Sequence, residues 1–183
     1  MAPAPMMTVD QYFRTPVTAR PAELAYGVLH VAEAPSVRHQ QAVGAFHLAL
    51  SGHVRARRLG YVLLSPVDVV LDHERALVVQ PDLLFVAKAR SHILEQRVLG
   101  APDLVLEVLS PNPRIGKLKE RLDWFARYGV REIWLLHQDS EQFEVVRVEQ
   151  GRVIRSVPSD YDRPVCSLVL PEFTPTVNGI LEA

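Results

Sequence analysis

The sequence predicts an α/β domain whose core is a mixed β-sheet with flanking helices. Apolar runs typical of buried strands alternate with segments of helical periodicity. Segments 103–109 and 132–137 are two such runs separated by one helix-length segment, which predicts a parallel pair with a right-handed crossover. The 183 residues, 48% of them hydrophobic, suit one domain with a sizeable core. We therefore expect a single domain over 1–183, with its core at about 8–157 and a tail at 158–183.

The amino-terminal third predicts two helices with a pair of strands between them. Thr8 and Gln11 form a capping-box pattern, which predicts a short helix directly after Thr8. Segment 23–34 is typical of two short strands joined by a turn. Ser36 can cap a long helix over 37–58.

The middle of the chain predicts a meander of three strands. They occupy 61–72, 76–87 and 102–110. The last two strands are separated by a polar link, 88–101, with one helical turn predicted around 93–98. This meander forms the centre of the expected sheet.

The next part of the chain predicts a helix, a strand and an added carboxyl-terminal hairpin. The apolar periodicity predicts a helix over 115–127 that ends at Gly129. A buried strand follows at 132–137, and 142–157 is typical of a hairpin that turns at 149–151.

Composition excludes several classes of protein. The 20 Lys and Arg residues nearly balance 21 Asp and Glu, so a strongly cationic nucleic-acid binder is not indicated. The single cysteine excludes an internal disulfide. No apolar run reaches the roughly 18 residues that a membrane span requires, and the first residues lack a signal-peptide pattern. We expect a cytoplasmic protein with no membrane partner.

Glu107 lies inside the apolar run of the predicted 102–110 strand. A lone buried carboxylate costs several kcal/mol unless a cation, hydrogen bonds or a shifted pKa compensates for its charge. The sequence therefore predicts a compensating group close to Glu107.

Asp82 lies on the preceding strand, directly after Pro81, which interrupts the ladder. Carboxylates on adjacent strands can share a divalent cation such as Mg²⁺ or Mn²⁺. The alternative is that Glu107 pairs with a buried arginine and Asp82 caps a turn. The residue pattern leaves both interpretations open.

A cation near this site would complete the parts needed to attack a phosphodiester. Lys117 and Arg121 are four residues apart on the predicted crossover helix and would share one face of it. Either side chain could reach over the end of the Glu107 strand.

Four segments in one order give the chain a family resemblance. They are PSVRHQQAV, VVQPDLLFV, GAPDLVLEVLSP and YGVREIWLL. With them the sequence resembles the Uma family of putative restriction endonuclease domains, formerly a domain of unknown function, within the PD-(D/E)XK superfamily. The resemblance covers roughly 8–157 and implies a restriction-endonuclease-like core of helix, three-stranded meander, helix and strand.

The resemblance also implies catalytic residues and a cofactor. Asp82 matches the superfamily's metal-binding Asp, and Glu107 matches the acidic residue of the (D/E)XK element. Glu23 matches an early family glutamate and is expected to be a third catalytic acid. The implied cofactor is Mg²⁺, with Mn²⁺ as a substitute.

The family's lysine is the point of departure. Leu109 stands where the superfamily element has lysine. Family members generally supply a lysine from the next helix, in an Asp-x₃-Lys pattern, and those two positions are Lys117 and Arg121 here. Because arginine stays protonated and cannot act as a base, Lys117 is expected to be the catalytic cation. His39 also matches a family position, and either a structural or a site role fits a lone histidine on a helix.

Three functions are compatible with these residues. The first is a Mg²⁺-dependent endonuclease that hydrolyses DNA phosphodiester bonds, and the resemblance implies that such an enzyme acts as a homodimer. The second is a catalytically impaired relative that binds nucleic acid or a protein, which the altered helix positions favour. The third is a structural protein in which Glu107 is only ion-paired.

Overall fold

The structure is a computed structural model that describes residues 6–16, 21–109 and 117–183. The four α-helices in this part of the chain are α1 (Val9–Phe13), α2 (Val37–Arg57), α3 (Leu118–Tyr128) and α4 (Val177–Leu181). A 3₁₀ helix covers Lys88–Ile93. The strands are β1 (Ala22–Ala25), β2 (Val28–Val31), β3 (Gly60–Leu64), β4 (Val69–Asp72), β5 (Leu77–Val79), β6 (Leu83–Ala87), β7 (Val98–Leu99), β8 (Leu104–Leu109), β9 (Glu132–His137), β10 (Gln142–Glu149), β11 (Arg152–Arg155) and β12 (Pro158–Asp160).

The strands form two mixed sheets. The larger, seven-stranded sheet has the order β11-β10-β9-β8-β6-β3, with β12 also pairing with β10. The smaller, five-stranded sheet has the order β2-β1-β5-β4-β7. The predicted α/β class with a mixed sheet and flanking helices is confirmed, whereas the second sheet was not predicted.

The predicted three-strand meander is present in the larger sheet as β3, β6 and β8, but the first two predicted strands are too long. Segments 61–72 and 76–87 each divide into two strands, one in each sheet. The divisions fall at Pro66 and Pro81, because proline has no N–H to donate to a strand ladder. The chain therefore crosses twice between the sheets, and these crossings place the start of β6 beside the smaller sheet.

The centre of the larger sheet agrees with the sequence. β8 pairs in parallel with β9, and β6 pairs antiparallel with β8. Helix α3 lies between β8 and β9 in the chain, as the crossover prediction requires. The predicted first turn of this helix, 115–116, lies outside the described residues, as does position 110 of the predicted 102–110 strand.

The two faces of the larger sheet are covered by different elements. Helix α2 packs on one face through Val43, Phe46, Leu50 and Val54, the buried stripe expected of a core-facing helix. The opposite face packs against α3, chiefly through Phe125, and against apolar residues of the smaller sheet. The tail adds Phe173 and α4 to the α2 side of the core.

Several local predictions are confirmed and two are corrected. The Thr8 capping box, the 23–34 strand pair and the hairpin turn at 149–151 are present. Helix α2 ends one residue early, because Arg58 adopts the left-handed conformation that closes a helix. In the 88–101 link the helical turn comes earlier than predicted, at Lys88–Ile93.

No helix in the described ranges has the length and apolar character needed to cross a membrane.

Candidate active site

The pairing of β6 with β8 brings two of the predicted acids together. Leu83 is the register partner of Leu106, so one further step along this antiparallel ladder sets Asp82 opposite Glu107. Directly opposite residues have Cβ atoms about 4.5–5.5 Å apart, and like charges in that relation repel. Both side chains are buried, so water screens this repulsion only weakly.

Arg121 of α3 is the cation that reaches the acids. Its Nε donates to Oε1 of Glu107 at 2.9 Å. Its Nη1 and Nη2 donate to the two carboxylate oxygens of Glu23 at 2.7 and 2.8 Å, a bidentate pair. One guanidinium therefore bridges two buried carboxylates from different sheets.

Glu23 enters the site from β1 of the smaller sheet. It is buried, and besides Arg121 it accepts a hydrogen bond of 2.6 Å from the backbone N–H of Gln80. The Gln80 side chain is itself held by Asp68 and by the backbone of Ala22. The crossing of the chain between the sheets near Pro81 thus places Glu23 beside the Asp82 strand.

Asp82 is fixed by the larger sheet and by α2. Its Oδ2 accepts from the backbone N–H of Val108 at 2.8 Å and lies 3.1 Å from Nε2 of His39. His39 is in the first turn of α2, behind the Ser36 cap, and both partners are buried. His39, for which the sequence allowed either a structural or a site role, therefore contacts a site residue.

Three buried carboxylates meet at the site. Arg121 bridges two of them, Glu107 and Glu23, while Asp82 lies beside His39. Burial raises the pKa of Glu107 to about 8, with Asp82 and Glu23 adding to the rise and Arg121 opposing it. Glu107 and Glu23 in turn raise the pKa of Arg121, which stays protonated. An additional cation would stabilise the ionised form of Glu107.

Lys117 lies at the amino-terminal end of α3. It is the N-cap residue, with an extended backbone, and its carbonyl accepts a hydrogen bond from Arg121 N–H at 3.2 Å. Its side chain is exposed, and its backbone N–H donates to Glu120. Arg121 is therefore the helix residue that contacts the carboxylates, as the buried-arginine interpretation of Glu107 expected. The catalytic role of Lys117 stays a prediction.

The donor set suits a hard divalent cation in part. Asp82 and Glu107 supply carboxylate oxygens, which Mg²⁺ and Mn²⁺ prefer, and Mg²⁺ commonly takes only one or two protein carboxylates with water or phosphate as further ligands. No group of three His, Cys, Asp or Glu side chains in the described ranges is arranged to hold a metal. The residues therefore fit a two-carboxylate site and not an all-protein cage.

Two features of the site were not predicted from the sequence. Arg121 was expected only as one of several possible cations, and its bidentate contact with Glu23 depends on the second sheet. The Gln80 backbone contact with Glu23 joins residues 57 positions apart. The one early signal was the position of Arg121 in the family's lysine pattern.

Comparisons with known proteins identify one family and one similar fold. A family model described as Uma2, putative restriction endonuclease, matches residues 9–178. A crystal structure of a putative nuclease belonging to DUF820 from Anabaena variabilis ATCC 29413 superposes with a TM-score of 0.81, covering 96% of this chain and 98% of that one. Their sequences are 19% identical, so this similarity concerns the fold. No curated protein matches the chain.

Proposed function

Because the chain belongs to the Uma2 family of putative restriction endonucleases, we propose that it is a metal-dependent nuclease that hydrolyses DNA phosphodiester bonds. The observation that carries this proposal is the buried cluster in which Arg121 bridges Glu23 and Glu107 while Asp82 lies opposite Glu107. Two buried carboxylates that face each other across adjacent strands support a site that takes up a divalent cation.

Asp82 and Glu107 would hold the Mg²⁺ ion, for which Mn²⁺ could substitute. A bound ion supplies Lewis-acid polarisation of a phosphoryl oxygen and lowers the pKa of a bound water. The hydrogen bonds from Val108 N–H and His39 hold Asp82 in a fixed orientation, which reduces the cost of ordering it when a ligand binds.

Arg121 would stabilise negative charge on the phosphate. Its guanidinium can donate paired hydrogen bonds to phosphate oxygens, but it cannot accept a proton from water. Glu23 holds Arg121 through two hydrogen bonds and thus acts as a positioning residue. Lys117, exposed where α3 begins, would contact substrate phosphate as a second cation.

A homodimer is part of the same proposal. Two copies of a chain with near-neutral net charge can join their local cationic surfaces across a twofold axis.

Cleavage of supercoiled plasmid DNA tests the proposal directly. We expect nicking with Mg²⁺ or Mn²⁺ and none with EDTA. Glu107→Gln keeps an oxygen for Arg121 but removes the charge, and Asp82→Asn does the same at the opposite strand, so each should lower the rate at least about 100-fold. Asp123→Asn removes an exposed carboxylate from α3 and should leave the rate unchanged. Equal nicking by all three variants would contradict the proposal.

A second candidate function is that of a catalytically impaired relative that binds nucleic acid without cleaving it. The contact of Arg121 with both Glu107 and Glu23 favours it, because the guanidinium already compensates part of their charge. The variant Arg121→Lys separates the two functions, because it keeps a positive charge at this position but replaces the forked guanidinium with a smaller, single ammonium group. If only this variant nicks DNA in Mn²⁺, the arginine impairs the site. If the wild type is faster, the nuclease proposal holds.

A further inference from the structure

The larger sheet has a second charged region at the end of its strands away from the candidate active site. We call it the cationic edge and define it by Arg58, Lys88, Arg90, Arg131 and Arg152. Arg58 and Arg131 each lie within two residues of the start of a strand, β3 and β9, and Lys88 follows β6. Arg152 begins β11 and is the register partner of Glu149 at the end of β10.

Backbone hydrogen bonds show that these positions follow one another across the sheet. Lys88 N–H donates to Leu59 O at 2.8 Å, beside Arg58, and Arg131 N–H donates to Asp103 O at 3.2 Å, at the start of β8. Val148 N–H donates to Arg131 O at 3.0 Å and continues the row into β10. Neighbouring strands are about 4.8 Å apart, so the row from β3 to β11 extends about 24 Å.

The charge of this row is mostly uncompensated. Arg58, Lys88 and Arg152 are exposed and form no ion pair with another described residue. Arg90 and Arg131 both pair with the same buried carboxylate, that of Asp103, at 3.2 and 3.6 Å. Glu149 is the exposed acid beside Arg152. The row therefore keeps a clear positive excess in a chain whose net charge is −1.

We propose that the cationic edge binds the phosphodiester backbone of duplex DNA outside the candidate active site. A row of cations about 24 Å long can contact several backbone phosphates at once, and arginine, which predominates here, forms paired hydrogen bonds with phosphate oxygens. Along β8, Asp103 and Glu107 are four residues or about 13 Å apart, so the two regions contact different phosphates. This inference rests on the proposed nuclease function only for the choice of DNA as the ligand. Binding at the cationic edge requires neither metal nor catalysis.

The test is the binding of a fluorescein-labelled 20-base-pair DNA duplex, measured by anisotropy in EDTA between 50 and 200 mM salt. The variant carries Arg58→Gln, Lys88→Gln and Arg152→Gln, three side chains without ion pairs in the described structure. The matched control carries Arg14→Gln, Arg75→Gln and Arg163→Gln, which remove the same charge from exposed positions elsewhere. Loss of about three phosphate contacts should make the slope of the logarithm of the association constant against log salt less negative by about 2 to 3. It should also weaken binding at least tenfold at 50 mM salt.

The outcomes separate this inference from the proposed function. Weak binding by the triple variant with unchanged binding by the control supports the cationic edge, even if no plasmid is nicked. Equal affinity of the two triple variants would overturn it. Binding to vesicles of phosphatidylcholine and phosphatidylserine as tight as to DNA would also overturn it, because the edge would then be a general anionic-surface contact.

Discussion

Asp103 directly precedes β8 and Glu107 lies four residues further along the chain, inside that strand, and they are compensated in opposite ways. Asp103 is paired with two arginines, Arg90 and Arg131, and also accepts a hydrogen bond from Ala87 N–H at 2.8 Å. Glu107 shares the single guanidinium of Arg121 with another acid and faces Asp82 across the ladder. An over-compensated carboxylate and an under-compensated one thus lie only four residues apart in the chain.

This difference distinguishes a structural carboxylate from a candidate functional one. Burial alone does not, because both side chains are buried. A carboxylate with two cationic partners is stabilised in its charged form without any ligand, whereas one that shares its cation gains stability when another cation binds. Three predictions test the comparison between Asp103 and Glu107.

The largest effect is expected from removing the shared cation. Arg121→Ala leaves two buried carboxylates without their guanidinium and should lower the free energy of unfolding by about 3–5 kcal/mol. Arg131→Ala should lower the free energy of unfolding by less than about 1 kcal/mol. The Arg131 side chain is largely exposed, and Arg90 still pairs with Asp103 when Arg131 is removed. Urea denaturation of the two variants measures both values. Equal losses would contradict the difference in compensation.

Neutralising each carboxylate should give unequal losses of stability. Asp103→Asn removes the partner of two arginines and should destabilise the protein by about 2–3 kcal/mol. Glu107→Gln relieves repulsion by Asp82 and Glu23, so it should change the stability by less than about 1 kcal/mol at pH 7. Thermal and urea unfolding provide the comparison. A larger loss for Glu107→Gln would mean that its ion pair outweighs the repulsion.

The most gradual effect is a dependence of stability on pH. The pKa of Glu107 is raised to about 8 in the folded protein, above its unfolded value of 4.5, so the folded state binds this proton more tightly. The resulting stability is fully present below about pH 4.5 and is lost as the pH rises toward 8. One proton gives a slope of at most about 1.4 kcal/mol per pH unit. Urea midpoints should therefore fall from pH 5 to 8 more steeply for wild type than for Glu107→Gln.

Local patterns in the sequence were sufficient for much of the fold. The parallel β8 and β9 pair, the core-facing stripe of α2 and the Thr8 capping box depend on residues close in the chain or on simple periodicity. The division of two predicted strands between two sheets was not predicted, although Pro66 and Pro81 mark both break points. A proline indicates that a ladder is interrupted, but not which sheet the chain joins next.

The site was predicted in its acids and less well in its cations. The structure brings Asp82, Glu107 and Glu23 together, as expected. Lys117 was placed on the helix by spacing, whereas α3 begins one residue later and leaves it as the cap. Helix boundaries depend on capping contacts, which spacing does not specify, and α3 begins three residues after the predicted start at 115.

Isothermal calorimetry with Mn²⁺ at pH 8 tests the central claim, that Asp82 and Glu107 together bind a divalent cation. Wild type and the exposed-site control Asp123→Asn should each bind one ion, and Glu107→Gln should bind none, because it removes a carboxylate ligand without removing the hydrogen-bond acceptor of Arg121. Absence of binding in wild type, or equal binding in Glu107→Gln, would contradict the claim and leave Arg121 as sufficient compensation for these carboxylates.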